Sequence, residues 1–122
     1  MSKTKDGIVQ IGTEELKAIL ASKGEEPIVV DVRGVDEYEN GHIPGIPLLP
    51  MDTIPSQVDD MDKTKSYVFI CRSGKRSQNV AKYLQEQGFT SVRNYDGGML
   101  AWDGEQKFDQ EWVVKHSSEL YK

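Results

Sequence analysis

The stretch Ser66-Tyr-Val-Phe-Ile-Cys71-Arg-Ser-Gly-Lys-Arg-Ser77-Gln-Asn-Val80-Ala81-Lys-Tyr-Leu84 decides how the chain is read. Ser66 to Ile70 is a compact apolar run, the pattern of a strand buried on both faces of a parallel sheet. Val80, Ala81 and Leu84 lie on one helical face, which predicts a helix from Ser77 to Gly88. Between them Cys71 to Ser77 form a short loop with Gly74 at its middle. Strand, tight loop and helix in direct succession belong to an α/β fold, where ligands sit at the C-terminal ends of strands.

Working outward, the same alternation recurs. Ile8 to Ile11 reads as a brief strand. Thr13 offers an N-cap, Glu14 and Glu15 suit the positive end of a helix dipole, and Leu16, Ile19 and Leu20 mark a buried face up to a stop at Gly24. Ile28 to Val32 is a second buried-type strand and Val35 to Asn40 a short helix, followed by turns through Gly41 to Gly45. Pro47, Pro50 and Pro55 limit the next segment to a short strand and a broken helix. Asp59 to Lys65 is a polar connector whose charges belong to a solvated surface. Val92 to Tyr95 is the last strand, with a turn of helix from Gly97-Gly98 through Trp102. The tail from Phe108 reads as a final helix packing Trp112, Val113 and Leu120. With no repeat and no linker, the pattern predicts a three-layer α/β/α fold around a mainly parallel sheet, one domain over 1–122 with a core of about 8–102 and a tail over 103–122.

Composition narrows the function. The 122 residues carry a net charge of −5 and a pI near 5.0, which argues against nucleic-acid binding through general electrostatics. No apolar run approaches the ~20 residues of a membrane span. The charged start Met1-Ser-Lys-Thr-Lys-Asp has no apolar segment of a secretory signal, which points to the cytoplasm. The single cysteine excludes an intramolecular disulfide. With only two histidines, the pattern calls for no metal and no cofactor.

Against that acidic background Arg72, Lys75 and Arg76 stand together beside Cys71. A glycine-centred loop turns backbone N–H groups inward as an anion nest, and the following helix adds its positive end. Such surroundings bring a cysteine pKa from about 8.5 into roughly the 4–7 range, so the thiolate is available at neutral pH. The same field holds an anionic donor against the sulfur.

Asp31-Val-Arg33, Glu37-Tyr38, Gly41-His-Ile-Pro-Gly45, Cys71-Arg-Ser-Gly-Lys-Arg-Ser77, Gly88-Phe89 and Gly97-Gly-Met-Leu-Ala-Trp102 resemble, in order and spacing, the motifs of the rhodanese family. The resemblance spans about Ile8 to Trp102. It implies a five-stranded parallel sheet between helices and a sulfur relay through a Cys71 persulfide. The donor would be a small anion such as thiosulfate, and the acceptor a thiol, cyanide or a sulfur-accepting protein. On this reading Arg72, Lys75 and Arg76 attract the anion, and Ser73, Gly74 and Ser77 line the donor site, Ser77 doubling as a candidate helix cap. Asp31 and Arg33 support the loop or pair with Glu37, while His42 anchors a turn. Gly97, Gly98 and Trp102 serve close packing.

Two rivals bound the reading. A cysteine phosphatase or arsenate reductase wants C-x5-R, whereas Arg76 gives C-x4-R, a loop sized for one extra sulfur. A non-catalytic interaction or regulatory module would have no use for the cysteine and its cations. One departure from the family pattern is Ile46-Pro47-Leu48-Leu49-Pro50, bulkier and richer in proline than the small and polar residues usual there, which bears on acceptor choice. With no long amphipathic seam left over, the chain is expected to be a monomer.

Overall fold

Four strands form where the sequence pattern places them, and a fifth joins at the N-terminal edge. The structure is a computed structural model and describes residues 3–121; Met1, Ser2 and Lys122 of the expected 1–122 span lie outside the described residues. The strands are β1 (Lys3–Lys5), β2 (Ile8–Ile11), β3 (Ile28–Asp31), β4 (Tyr67–Ile70) and β5 (Val92–Tyr95). They form one sheet in the order β1-β2-β5-β4-β3. Only β1 runs antiparallel; the other neighbours are parallel. Asp6 and Gly7, with φ of 51° and 80°, close the β1–β2 hairpin. An Asp-Gly pair supplies the two positive φ angles that such a two-residue turn requires.

The helices are α1 (Thr13–Ser22), α2 (Val35–Glu39), α3 (Ile54–Gln57), α4 (Lys75–Glu86) and α5 (Gly98–Ala101). Side chains alternate across the sheet. Tyr67 and Phe69 of β4 pack with Ile54 of α3 and Val80, Ala81 and Leu84 of α4, while Val68 and Ile70 pack with Leu16 of α1 and Met99 of α5. Two apolar layers with helices outside each are the three-layer α/β/α arrangement. No helix among the described residues is long and apolar enough to cross a membrane.

Both predicted helix caps are corrected. Gly12, not Thr13, is the N-cap of α1, because the Thr13 hydroxyl is engaged by the Tyr95 hydroxyl at 2.7 Å. Helix α4 begins at Lys75 behind Gly74, so Ser77 lies inside the helix and caps nothing.

The tail forms no long helix. Lys107 exchanges backbone bonds with His42, and the Trp112 carbonyl and Val114 N–H bond to Leu48. A 3₁₀ turn, Ser117–Tyr121, follows. The reason lies at the open edge of β3. Pro47 and Leu49 bond to Asp31, leaving the Leu48 N–H and C=O on the far side to be satisfied, and the tail supplies the partners. The proline-rich segment is thus a single-residue bridge at Leu48 on each side, not a strand. The 3₁₀ turn Met51–Thr53, α3 and a second 3₁₀ turn, Val58–Asp60, make up the broken helix. In the Asp59–Lys65 connector Met61 alone turns fully inward.

Candidate active site

Cys71 is the first residue beyond β4 and is fully buried, its sulfur at the border of the apolar layer under α4. The loop closes tightly because two glycines let backbones meet. Gly74 has φ +90°, and a Cβ there would stand 2.1 Å from the Asp96 carbonyl oxygen; one on Gly98 (φ +60°) would stand 2.4 Å from the Arg72 oxygen. The start of α5 holds the loop from outside, with Met99 N–H on the Cys71 carbonyl at 2.9 Å and Leu100 N–H on that of Arg72 at 3.0 Å. With its carbonyls turned outward, the loop points its N–H groups at the sulfur.

The Gly74 N–H donates to Sγ at 3.1 Å, and the Ser77 hydroxyl oxygen lies 3.3 Å away. Burial pushes the Cys71 thiol up. Hydrogen bonding from the loop, the N–H groups of Ser77, Ser73 and Gly74 among the donors, outweighs it, and the thiol falls below its ordinary value. The stabilisation is local hydrogen bonding to sulfur more than a field of distant cations.

The three cations separate into two kinds. Arg72 and Lys75 are exposed at the rim, beside exposed Ser73, and make no ion pair with another described residue. Arg76 is closed on Glu37 of α2, Nη1 to Oε1 and Nη2 to Oε2, both at 2.7 Å. That guanidinium holds the Glu37 carboxyl at about 2 against the opposing effect of burial, with help from the Gly34 N–H.

Asp31 and Arg33 sit apart from the loop as a buried pair. Arg33 Nε and Nη2 grip the Asp31 carboxylate at 2.8–3.1 Å, and Nη2 also donates to the Gly41 carbonyl. Arg33 therefore ties β3 to the Gly41 turn and leaves Glu37 to Arg76. His42 stacks on Tyr38 with centroids 3.7 Å apart. Its Nδ1 meets the Tyr38 carbonyl and its Nε2 meets Glu111 at 2.9 Å, so it fastens the tail. Asp109 joins that group, with ligand atoms of the three residues within 4.8 Å of one another, but both ring nitrogens already have partners. Gly97 and Gly98 serve the close approach at the loop, and Trp102, partly buried, packs on the α1 side.

One part of the site escaped the sequence reading. Behind Ser77 runs a line of buried polar side chains, Asn94, Gln10 and Gln78. Ser77 Oγ lies 2.5 Å from Asn94 Oδ1, Asn94 bonds Gln10 at 2.8 Å, and Gln10 bonds Gln78 at 2.6 Å. The signal was present: period-two alternation puts Gln10 on the face of Ile8 and Asn94 on that of Val92, both toward α4, where apolar residues belong.

The chain resembles known proteins over most of its length. The model of the rhodanese-like domain family matches residues 12–105. YtwF of Bacillus subtilis is 49% identical over 100 residues, covering 82% of this chain and 95% of the relative. The thiosulfate sulfurtransferase GlpE of Pseudoalteromonas translucida is 35% identical over 79 residues, covering 65% and 75%. The crystal structure of a rhodanese-like domain protein from Staphylococcus aureus superposes with a TM-score of 0.69 at 40% identity, over 79% of this chain and 92% of that one.

Proposed function

The chain belongs to the rhodanese-like domain family, and from that premise we propose that it is a sulfurtransferase in which Cys71 carries a sulfane sulfur as a persulfide. The observation that carries the reading is the convergence of donors on one buried sulfur: the Gly74 N–H at 3.1 Å together with the N–H groups of Ser73 and Ser77. A merely structural cysteine at a strand end has no use for such a nest.

In the first half-reaction the Cys71 thiolate attacks the outer sulfur of an anionic donor of the thiosulfate class. The new Sγ–S bond forms as the donor's S–S bond breaks, and sulfite leaves with the electron pair. In the second, a thiol, cyanide or a sulfur-accepting protein attacks the terminal sulfur, and Cys71 departs as thiolate. The same N–H groups stabilise the charge on sulfur in both halves. A relative that is itself a thiosulfate sulfurtransferase supports the choice of donor. Arg72 and Lys75, exposed at the rim and in no ion pair with another described residue, draw the anion in. Because Cys71 is fully buried, the donor enters by parting these rim side chains. Arg76, charge-matched by Glu37, braces α4 against α2 beside the entrance.

The test is formation of thiocyanate from thiosulfate and cyanide. The wild type turns over and Cys71→Ser does not. A wild type that makes no thiocyanate, or a serine variant that does, contradicts the reading.

A further inference from the structure

The line of buried polar groups behind Cys71 has a direction, and backbone carbonyls fix it. A carbonyl only accepts, so Gln78 Nε2 donates to the Lys5 oxygen at 2.8 Å and turns its Oε1 toward Gln10. Gln10 Nε2 donates to the Ile8 oxygen at 3.0 Å and to Gln78 Oε1, leaving its own Oε1 for Asn94. Asn94 Nδ2 donates to Gln10 Oε1 and to the Gly74 oxygen at 3.0 Å, which leaves its Oδ1 facing Ser77. An amide oxygen has no proton to give. At 2.5 Å the Ser77 hydroxyl is therefore the donor to Asn94.

Ser77 has one hydroxyl proton. Committed to Asn94, it leaves an oxygen lone pair toward Cys71 Sγ, 3.3 Å away. We propose that Asn94 is a positioning residue that holds the Ser77 proton away from the sulfur, so that Ser77 accepts from the Cys71 thiol and does not donate to its thiolate. The hydrogen bonds then run one way, from Cys71 through Ser77, Asn94, Gln10 and Gln78 to the Lys5 carbonyl, each polarising the next. For Ser77 to serve the thiolate its proton would have to swing round, leaving two oxygens lone pair to lone pair 2.5 Å apart in a buried site.

The consequence is a balance set on the sulfur from two sides. The loop N–H groups favour the thiolate, and the line through Ser77 favours the thiol. A thiol depressed too far leaves well but attacks poorly, so a two-step relay gains from an intermediate setting.

The test is the pH dependence of Cys71 alkylation by iodoacetamide, which reads the thiol without sulfur transfer and so separates this proposal from the function proposed above. In Asn94→Leu the freed hydroxyl turns onto the thiolate, and the midpoint falls by about half to one pH unit. In a Ser77→Ala background the same substitution leaves the midpoint where Ser77→Ala alone sets it. A purely structural role for Asn94 would lower stability without a Ser77-dependent fall. An unchanged or raised midpoint in Asn94→Leu, or a fall that persists without Ser77, overturns the proposal. Should Asn94→Leu fail to fold, Ser77→Ala decides alone: a midpoint at or below the wild type supports acceptance from the thiol, and any rise marks Ser77 as a thiolate donor and overturns it.

Discussion

Arg76 and Glu37 meet fork to fork, Nη1 on Oε1 and Nη2 on Oε2 at 2.7 Å each, joining the first turn of α4 to α2 beside the Cys71 loop. Planar pairing of this kind is strong and geometrically selective. It removes one of three cations from the field at the loop, so among the described residues the entrance carries one matched pair and two cations without an ion pair, Arg72 and Lys75.

Glu37→Gln releases Arg76 without removing it. The entrance gains one positive charge, so KM for thiosulfate falls about two- to fivefold, the scale of one partly exposed charge. The Cys71 alkylation midpoint moves down with it. Steady-state kinetics in thiosulfate check this, and a raised KM would show that the pair shapes the site more than it masks charge.

The same pair sets an acid limit. Glu37 titrates at about 2 in the folded chain because of Arg76, against an ordinary 4.5. A depressed carboxyl contributes stability that is complete above its unfolded value and is lost as pH falls through the folded one. The stability gap between wild type and Glu37→Gln therefore narrows as pH drops from 4.5 toward about 2. Denaturant titrations across that range follow it; a gap that stays constant contradicts the assignment.

Gly74→Ala and Gly98→Ala place a Cβ 2.1 Å from the Asp96 oxygen and 2.4 Å from the Arg72 oxygen, both at positive φ. Each destabilises by about 1–3 kcal/mol and opens the nest, raising the alkylation midpoint. Gly12→Ala, with nothing within 4 Å of its Cβ, costs about 1 kcal/mol as a lost N-cap glycine and leaves the midpoint unmoved. Wild-type stability and midpoint in Gly74→Ala would mean that the loop does not need this closure.

Much of this was legible because it is local. β3 and β4 are short apolar runs, and Cys71, Gly74 and the rim cations lie within one loop. What was hidden depends on partners far along the chain. Thr13 and Ser77 look like caps in sequence, but their hydroxyls belong to Tyr95 and Asn94. Arg76 looks free until α2 brings Glu37 to it. The tail reads as a helix because nothing nearby shows that the Leu48 backbone needs it. β1 was readable, since Asp6-Gly7 is a hairpin signal, but its three exposed residues give no apolar pattern. Asn94 and Gln10 are visible only when a polar residue on an inward strand face is counted as a statement about function.

Salt separates the two half-reactions. If Arg72 and Lys75 draw in the anion, kcat/KM for thiosulfate falls as ionic strength rises, because exposed charges are screened beyond about 8–10 Å at 0.1–0.15 M salt. Transfer from the loaded enzyme to a neutral thiol changes far less. Equal salt dependence of both steps, measured by stopped-flow mixing, would remove the rim cations from donor capture.

Intact-protein mass spectrometry after incubation with thiosulfate reads whether Cys71 itself holds the transferred sulfur. The wild type gains the mass of one sulfur atom, cyanide or a thiol removes it, and Cys71→Ser shows no gain while keeping its fold by circular dichroism. A wild type that stays at its own mass, or a serine variant that takes up the same sulfur, would rule out a Cys71 persulfide.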